Sequence, residues 1–233
     1  MPPANPPVWA LPAPPARQRR LGREEVVAAA IELADEGGPA AVTMKAVAAR
    51  LGPYTPMALY RYVHGKDGLV DLMLDAAVAE IPVPPAPGPH WRDDLRYIAA
   101  GTRAMTERHG WYAELVHTRP PAGPHTMRRL EFMLRVLSAR GVPVGRALTF
   151  AALLDRHIIG SGMQEAQEAR FEDLGAPGFF ATVHALAAAD GSVPLLTSWL
   201  AAPEPGPPGE QFELGLEMLL DGIAARLPGS GAA

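Results

Sequence analysis

Apolar residues along this chain return at the three- and four-residue spacing of one helix face, interrupted by glycine and proline. Residues 23–36 place Val27, Ala30, Ile31 and Ala34 on one side and Glu24, Glu25, Glu32 and Asp35 elsewhere, with Gly37 and Gly38 as the stop. A second helix starts at Thr43, a good N-cap, and carries Met44, Val47, Ala48 and Leu51 as its stripe. Gly52 and Pro53 end it. Thr55 followed by Pro56 restarts a helix, a hydroxyl cap and then proline where its missing N–H costs nothing. In that third helix Leu59 and Val63 face inward, leaving Pro56, Met57, Ala58, Tyr60, Arg61 and Tyr62 near or on the outside. Lys66 and Asp67 open a fourth helix running to about residue 81, with Leu69, Leu72, Met73, Ala76 and Ala77 buried. Residues 43–67 thus read as a helix-turn-helix leading into a fourth helix.

The pattern continues after residues 82–89. Residues 90–109 present Leu95, Ile98, Ala99, Thr102 and Met105; a shorter helix over 111–118 ends at Arg119-Pro120-Pro121. Residues 124–140 show Met127, Leu130, Met133, Leu134 and Leu137, closed by Gly141. The stretch 144–170 is apolar on more than one side, with Leu148, Ala151, Leu154, Ile158 and Gly162 on one and Phe150, Leu153, His157 and Ser161 on another. A small helix is expected over 179–189. The last, 210–227, carries Phe212, Leu216, Leu219, Ile223 and Leu227 on a heptad-like seam, with Leu214 and Met218 beside it. The expected fold class is all-α, a helix-turn-helix head followed by a helical body.

Proline marks the joints: of 26, 7 lie in residues 1–15, 5 in 82–89 and 4 in 203–208. Residues 1–16 read as a disordered arm with Trp9 and Leu11 as docking points. Arg17, Arg19 and Arg20 follow, either as a solvated tail or as a basic arm touching DNA. The boundaries expected are 1–16 for the arm, 17–81 for the head and 82–233 for the body. Net charge is −4, against a nucleic-acid binder taken alone, but residues 1–66 carry +3 and the remainder −7. A basic module on an acidic body suits DNA contact at one end. The chain has no cysteine, which excludes disulfides and thiol catalysis. No apolar run approaches the roughly 18 residues of a spanning helix, and no secretory signal is read, so a cytoplasmic protein without membrane contact is expected.

The strings MKAVAARLG, MALYRYV and KDGLVDLML resemble the DNA-binding region of TetR-family repressors. Between the turn glycine and the Leu-Tyr pair this chain has one residue more than the family usually has, in Gly52-Pro53-Tyr54-Thr55. The resemblance implies phosphate contacts from Thr43, Thr55, Tyr60, Tyr62 and Lys66, and places Lys45, Pro56, Met57 and Ala58 near base edges. Arg61 points the same way and can grip a guanine bidentately. The bland alternative for each basic residue is a solvated surface charge, and for Tyr60 a packing role.

His117-Thr118-Arg119-Pro120 and the string FELGLEMLLDGI are similar to the body of the tetracycline-repressor branch. The resemblance implies a ligand pocket, for which the candidates are Ile98, Thr102, Met105, Trp111, Leu115, Thr118, Arg119, Met127, Leu130, Met133, Leu154 and His157, with Trp91, Met163, Phe179 and Trp199 behind them. A Met and aromatic stripe at helical spacing is more often core than ligand site. The tetracycline repressor holds its drug through magnesium; its coordinating His position matches Leu115, its pocket Asn falls near Ile98, and Glu165 matches its accompanying carboxylate. A metal-free, larger apolar or amphipathic inducer is therefore expected, with no cofactor. The resemblance also implies a homodimer through an intersubunit four-helix bundle, with Leu154, Ile158, Gly162, Phe212, Leu216, Leu219 and Ile223 at the interface; Gly160, Ser161 and Gly162 would allow close approach. The competing reading is a helix buried within one chain.

His109, His117, His125, His157 and His184 form no His-x-x-x-His pair, so structural or surface roles are expected and no metal site. Nucleophile-elbow, Walker and dinucleotide motifs are missing, which makes an enzyme the weak competitor. The function expected is a ligand-released repressor on a palindromic operator. Its rival is a ligand-binding or protein-interaction module of the same fold without DNA binding.

Overall fold

The computed structural model describes residues 8–11, 21–173, 177–201 and 208–229. Among them it is all-α: a short 3-10 turn at Val8–Ala10, then α1 (Arg23–Gly37), α2 (Met44–Leu51), α3 (Pro56–Val63), α4 (Lys66–Ala79), α5 (Trp91–Arg108), α6 (Trp111–Val116), α7 (Pro124–Ser138), α8 (Val144–Asp173), α9 (Pro177–Ala189), α10 (Pro194–Leu200) and α11 (Pro208–Ala224). The short α10 lacks a periodic signal of its own and escapes the sequence reading. No helix among the described residues is long and apolar enough to cross a membrane.

The head is built as its caps dictate. Thr43 Oγ1 accepts from the Ala46 amide at 3.0 Å, and Thr55 Oγ1 from that of Ala58 at 3.4 Å, so each hydroxyl satisfies a donor the helix start leaves open. Gly52 ends α2 at φ +99°, a conformation few side chains tolerate. The longer turn is absorbed there: the Tyr54 amide bonds back to the Gly52 carbonyl at 2.8 Å, and the Tyr54 ring packs against the head core. Val26, Ala30, Val47, Leu59, Val63, Leu69 and Met73 fill that core.

The body has a second core, in which Leu95, Ile98, Phe132, Met133, Leu137, Phe150, Leu154, Ile158, Phe212, Leu216, Leu220 and Ile223 join α5, α7, α8 and α11. Five of the seven residues expected at a dimer seam lie in this core. Leu154, Ile158, Phe212, Leu216 and Ile223 are buried within one chain, Leu219 is half-buried, and a Cβ at Gly162 would approach Thr106 Oγ1 to 3.1 Å. The heptad-like period of α11 lays its stripe on the chain's own α8. The face still uncovered carries Leu148 and Leu153 on α8 and Leu214 and Met218 on α11.

α4 lies between the two cores, and so its burial exceeds the single stripe read from sequence. Besides Leu69, Leu72, Met73 and Ala77, the residues Val70, Asp71, Leu74, Asp75 and Val78 are buried, while Ala76 is only half-buried. Met105, Trp111 and Tyr112 of the body complete the head's core against it.

Candidate nucleic-acid interface and its link to the body

Turning α3 with Leu59 and Val63 inward sets Met57, Tyr60 and Arg61 outward as one stripe; Met57 is 75% exposed. His64, left-handed at φ 55°, continues that stripe beyond the helix and was missed in the sequence reading. Thr43, Lys45, Thr55 and Lys66 are exposed around it, whereas Pro56, Ala58 and Tyr62 are half-buried. Tyr62 packs on the head core, and its carbonyl accepts from Arg23 Nε at 3.0 Å, tying the start of α1 to the end of α3. Arg50 turns away from this surface to pair with Glu36 at 2.5 Å and Glu32 at 3.3 Å. These contacts hold the Glu36 carboxyl below the usual range, the hydrogen bond from Arg50 being the main cause. The arrangement offers cations and hydroxyls to phosphates and a mixed polar and apolar stripe to base edges. Arg17, Arg19 and Arg20 lie outside the described residues.

The pocket candidates do not converge as one set. Ile98, Leu130, Met133 and Leu154 meet in the body core; Met105, Trp111 and Leu115 pack on the head side. His157 stacks on Phe212 at 5.1 Å and donates from Nε2 to the Phe212 carbonyl at 2.9 Å. A Cβ at Gly215 would come within 2.4 Å of its ring, so the histidine fills a packing seat. Met127 and Trp199 are exposed, Trp91 and Met163 half-buried, and the Phe179 side chain lies outside the described residues. Thr118 Oγ1 donates to the Leu115 carbonyl at 2.7 Å. Glu165 is already neutralised by Arg103 Nη2 at 3.0 Å, and among the described residues no group of three or more His, Asp and Glu side chains gathers to hold a metal ion.

Between the two groups lies a buried polar centre that the sequence reading did not single out. Arg129, 6% exposed, donates from Nε to Thr102 Oγ1 at 3.0 Å and from both Nη atoms to Asp155 at 3.2 and 2.5 Å. Tyr112 lies in the field of the same charges. Its phenol is pushed up to about 12, burial being the main cause; Arg129 opposes the rise, and Asp155 and Asp75 add to it.

The body grips α4 by its carboxylates. Arg119 donates from Nε to Asp71 Oδ1 at 2.6 Å and from Nη2 to Asp71 Oδ2 at 2.8 Å, with Asp67 3.4 Å from Nη1. Four residues on, Asp75 Oδ1 caps the start of α7, accepting from the Thr126 amide at 2.9 Å and hydroxyl at 3.0 Å, and from the His125 amide at 3.1 Å. Gly123 makes this approach possible, since a Cβ there would stand 2.1 Å from Asp75 Cγ. At the far end His109 joins Asp35 of α1 at 2.8 Å and Glu80 at 3.1 Å, Trp111 Nε1 donates to Asp35 at 2.6 Å, and Arg108 pairs with Glu80. The signal was available: Asp67, Asp71 and Asp75 stand at i, i+4 and i+8, one helical stripe of acid.

The profile described as bacterial regulatory proteins, tetR family, matches residues 26–73, and that of the tetracyclin repressor-like C-terminal domain matches 84–227. An HTH-type transcriptional regulator of Saccharopolyspora erythraea is 33% identical over 94% of this chain and 91% of its own length. The HTH-type transcriptional repressor DrrR1 of Streptomyces coeruleorubidus is 34% identical over 87% of this chain and 77% of its own. The fold is that of Streptomyces coelicolor ActR, a TetR family protein solved in complex with actinorhodin, with a TM-score of 0.77, 24% identity, and cover of 92% of this chain and 100% of that one. The head with its capped α3 and the helical body are thus parts of one regulator: the chain belongs to the TetR family of transcriptional regulators.

Proposed function

We propose that the protein is a homodimeric repressor that holds a palindromic operator through α2 and α3 and releases it when a small, largely apolar molecule enters the body. The observation that carries this reading is the outward stripe of Met57, Tyr60 and Arg61 on a doubly capped α3, flanked by Lys45 and Lys66. Lys66 and the hydroxyls of Thr43, Thr55 and Tyr60 grip phosphates and set register; Lys45, Arg61 and Met57 read base edges, the methionine against thymine methyl groups. Tyr62, Pro56 and Ala58 shape the stripe from beneath.

The second copy covers the apolar residues Leu148, Leu153, Leu214 and Met218 that one chain leaves exposed, with α8 and α11 pairing across a two-fold axis. Two heads related in that way meet successive major grooves, one helical turn apart. The inducer enters between the Ile98–Leu130–Met133–Leu154 cluster and the Met105–Trp111–Leu115 group, against Thr102. It needs no metal, since the residues named there offer one hydroxyl and no carboxylate, short of the oxygen-rich set magnesium demands. Any shift of α6 or α7 on binding is passed to α4 through Asp71, Asp75 and Glu80, and with α4 to the head. A coupling of roughly 1–3 kcal/mol changes operator affinity about 5–150-fold.

Selection from a randomised duplex library with the full-length protein tests the DNA reading. A two-fold symmetric site is expected; recovery of no enriched sequence would leave a body that binds ligand without DNA. Release from that site by a panel of hydrophobic metabolites, with and without EDTA, tests the metal-free inducer. Release that requires added magnesium would overturn it.

A further inference from the structure

We propose that the N-terminal arm is coupled to the body through the single carboxylate of Asp71, so that docking of residues 8–11 and the hold of the α6–α7 loop on α4 strengthen each other. Val8 is 1% exposed, and its amide donates to Asp71 Oδ2 at 3.3 Å. The same carboxylate, 5% exposed, takes both hydrogen bonds from Arg119. Segments 63 residues before and 48 residues after Asp71 therefore share one buried anion.

The energetics make the sharing cooperative. A buried carboxylate deprived of its guanidinium is costly, and relieves the cost by turning to water. That turn withdraws the acceptor that Val8 uses. In the other direction, the docked arm keeps water from Asp71, which lowers the local dielectric and strengthens the pair with Arg119. A coupling of this kind is reciprocal by thermodynamic necessity.

Its position gives the coupling a consequence. Val8 and Leu11 line a cleft together with His64, Gly65, Lys66, Asp67 and Gly68, the turn that carries the DNA face from α3 into α4. Loosening of the α6–α7 loop therefore reaches Lys66 by a second route, through the arm, beside any displacement of α4 as a rigid rod. The coupling rests on this geometry alone and stands whether or not the inducer reading is right.

The test uses the full-length protein without ligand or DNA. Hydrogen exchange of the peptides covering residues 8–11 and 117–123 is compared in wild type, Arg119→Gln and Val8→Asp, together with chymotryptic cleavage after Trp9. Arg119→Gln should raise exchange and cleavage in the arm about fivefold or more, and Val8→Asp should raise exchange in residues 117–123 by a similar factor, while α11 exchanges as in wild type. An arm equally protected in Arg119→Gln, or a loop equally protected in Val8→Asp, would overturn the coupling. Should Arg119→Gln fail to fold, Val8→Asp decides alone, because it leaves every body residue in place.

Discussion

The head and the body are both apolar bundles, yet they carry function differently. In the head, function follows from neighbours in sequence: two hydroxyl caps, one proline and two inward residues orient α3, and Met57, Tyr60 and Arg61 are outward as a result. In the body, polar groups act across long separations, as between Arg129 and Asp155 on α7 and α8, or Arg119 and Asp71 between loop and α4. A local device survives a change elsewhere; a long-range one fails together with the packing that holds it. The head can therefore be altered at its surface without unfolding, while the body is sensitive at its buried charges.

The largest expected contrast lies on α11, where neighbouring positions face opposite ways. Leu216→Glu with Ile223→Glu places two charges in the core of one chain and should cost well over about 4 kcal/mol, enough to prevent folding. Leu214→Glu with Met218→Glu alters only the exposed side of the same helix. That variant should keep its circular dichroism and lose its dimer in sedimentation. A folded Leu216→Glu/Ile223→Glu monomer would move the seam back between subunits.

The next effect concerns the buried pair. Asp155→Leu leaves the Arg129 guanidinium, 7% exposed, without its counter-charge and should destabilise the body by about 3–5 kcal/mol in urea unfolding. Arg129→Met together with Asp155→Leu should recover most of that loss, because an apolar replacement removes the penalty along with the pair. Failure of the double variant to recover would mean that Thr102 and Tyr112 need the guanidinium as well.

In the head, substitutions should act on DNA and spare the fold. Arg61→Ala should cost about 1–3 kcal/mol on the selected site and much less on random duplex. Lys66→Ala should weaken both alike and reduce the salt slope by about one. Equal losses on both DNAs for Arg61→Ala would remove it from the base-reading set.

This difference also decides what was legible. The helix order, both caps of the helix-turn-helix and the inward pair Leu59 and Val63 could be read, because each depends on residues within one or two turns. The packing of the α11 stripe on the chain's own α8 was less legible, since a period near 3.5 shows that a helix has a partner but not whether the partner belongs to the same chain. The resemblance of His117-Thr118-Arg119-Pro120 to a ligand-binding body points Arg119 at a ligand, and nothing near it in sequence signals its partner Asp71, 48 residues away. Hydrophobic periodicity gives no weight to charge, so the buried faces of α4 that hold Asp71 and Asp75 fell outside the stripe drawn for it.

The smallest effect compares like with like, an arginine–glutamate pair joining two helices in each region. In the body, Arg96 holds Glu217 of α11 through Nε at 2.6 Å and Nη2 at 2.8 Å, and this hydrogen bonding keeps the Glu217 carboxyl below its ordinary range. A carboxyl depressed in the folded state adds stability that is complete above the ordinary glutamate range and is lost as pH falls through the lowered value. Both side chains are 40% exposed, so solvent screening limits the contribution to about 0.2–1 kcal/mol. Glu217→Gln should therefore lower the urea midpoint slightly at pH 7 and converge with wild type under acid. The head's counterpart, Arg50 with Glu36, runs over the outer surface of α1 and α2, where Glu36→Gln should have a smaller effect still. Unfolding midpoints measured from neutral to acid pH for both variants decide this. Parallel curves for wild type and Glu217→Gln would mean that the α5–α11 pair contributes nothing in solution, and the body's stability would then rest on its buried contacts alone.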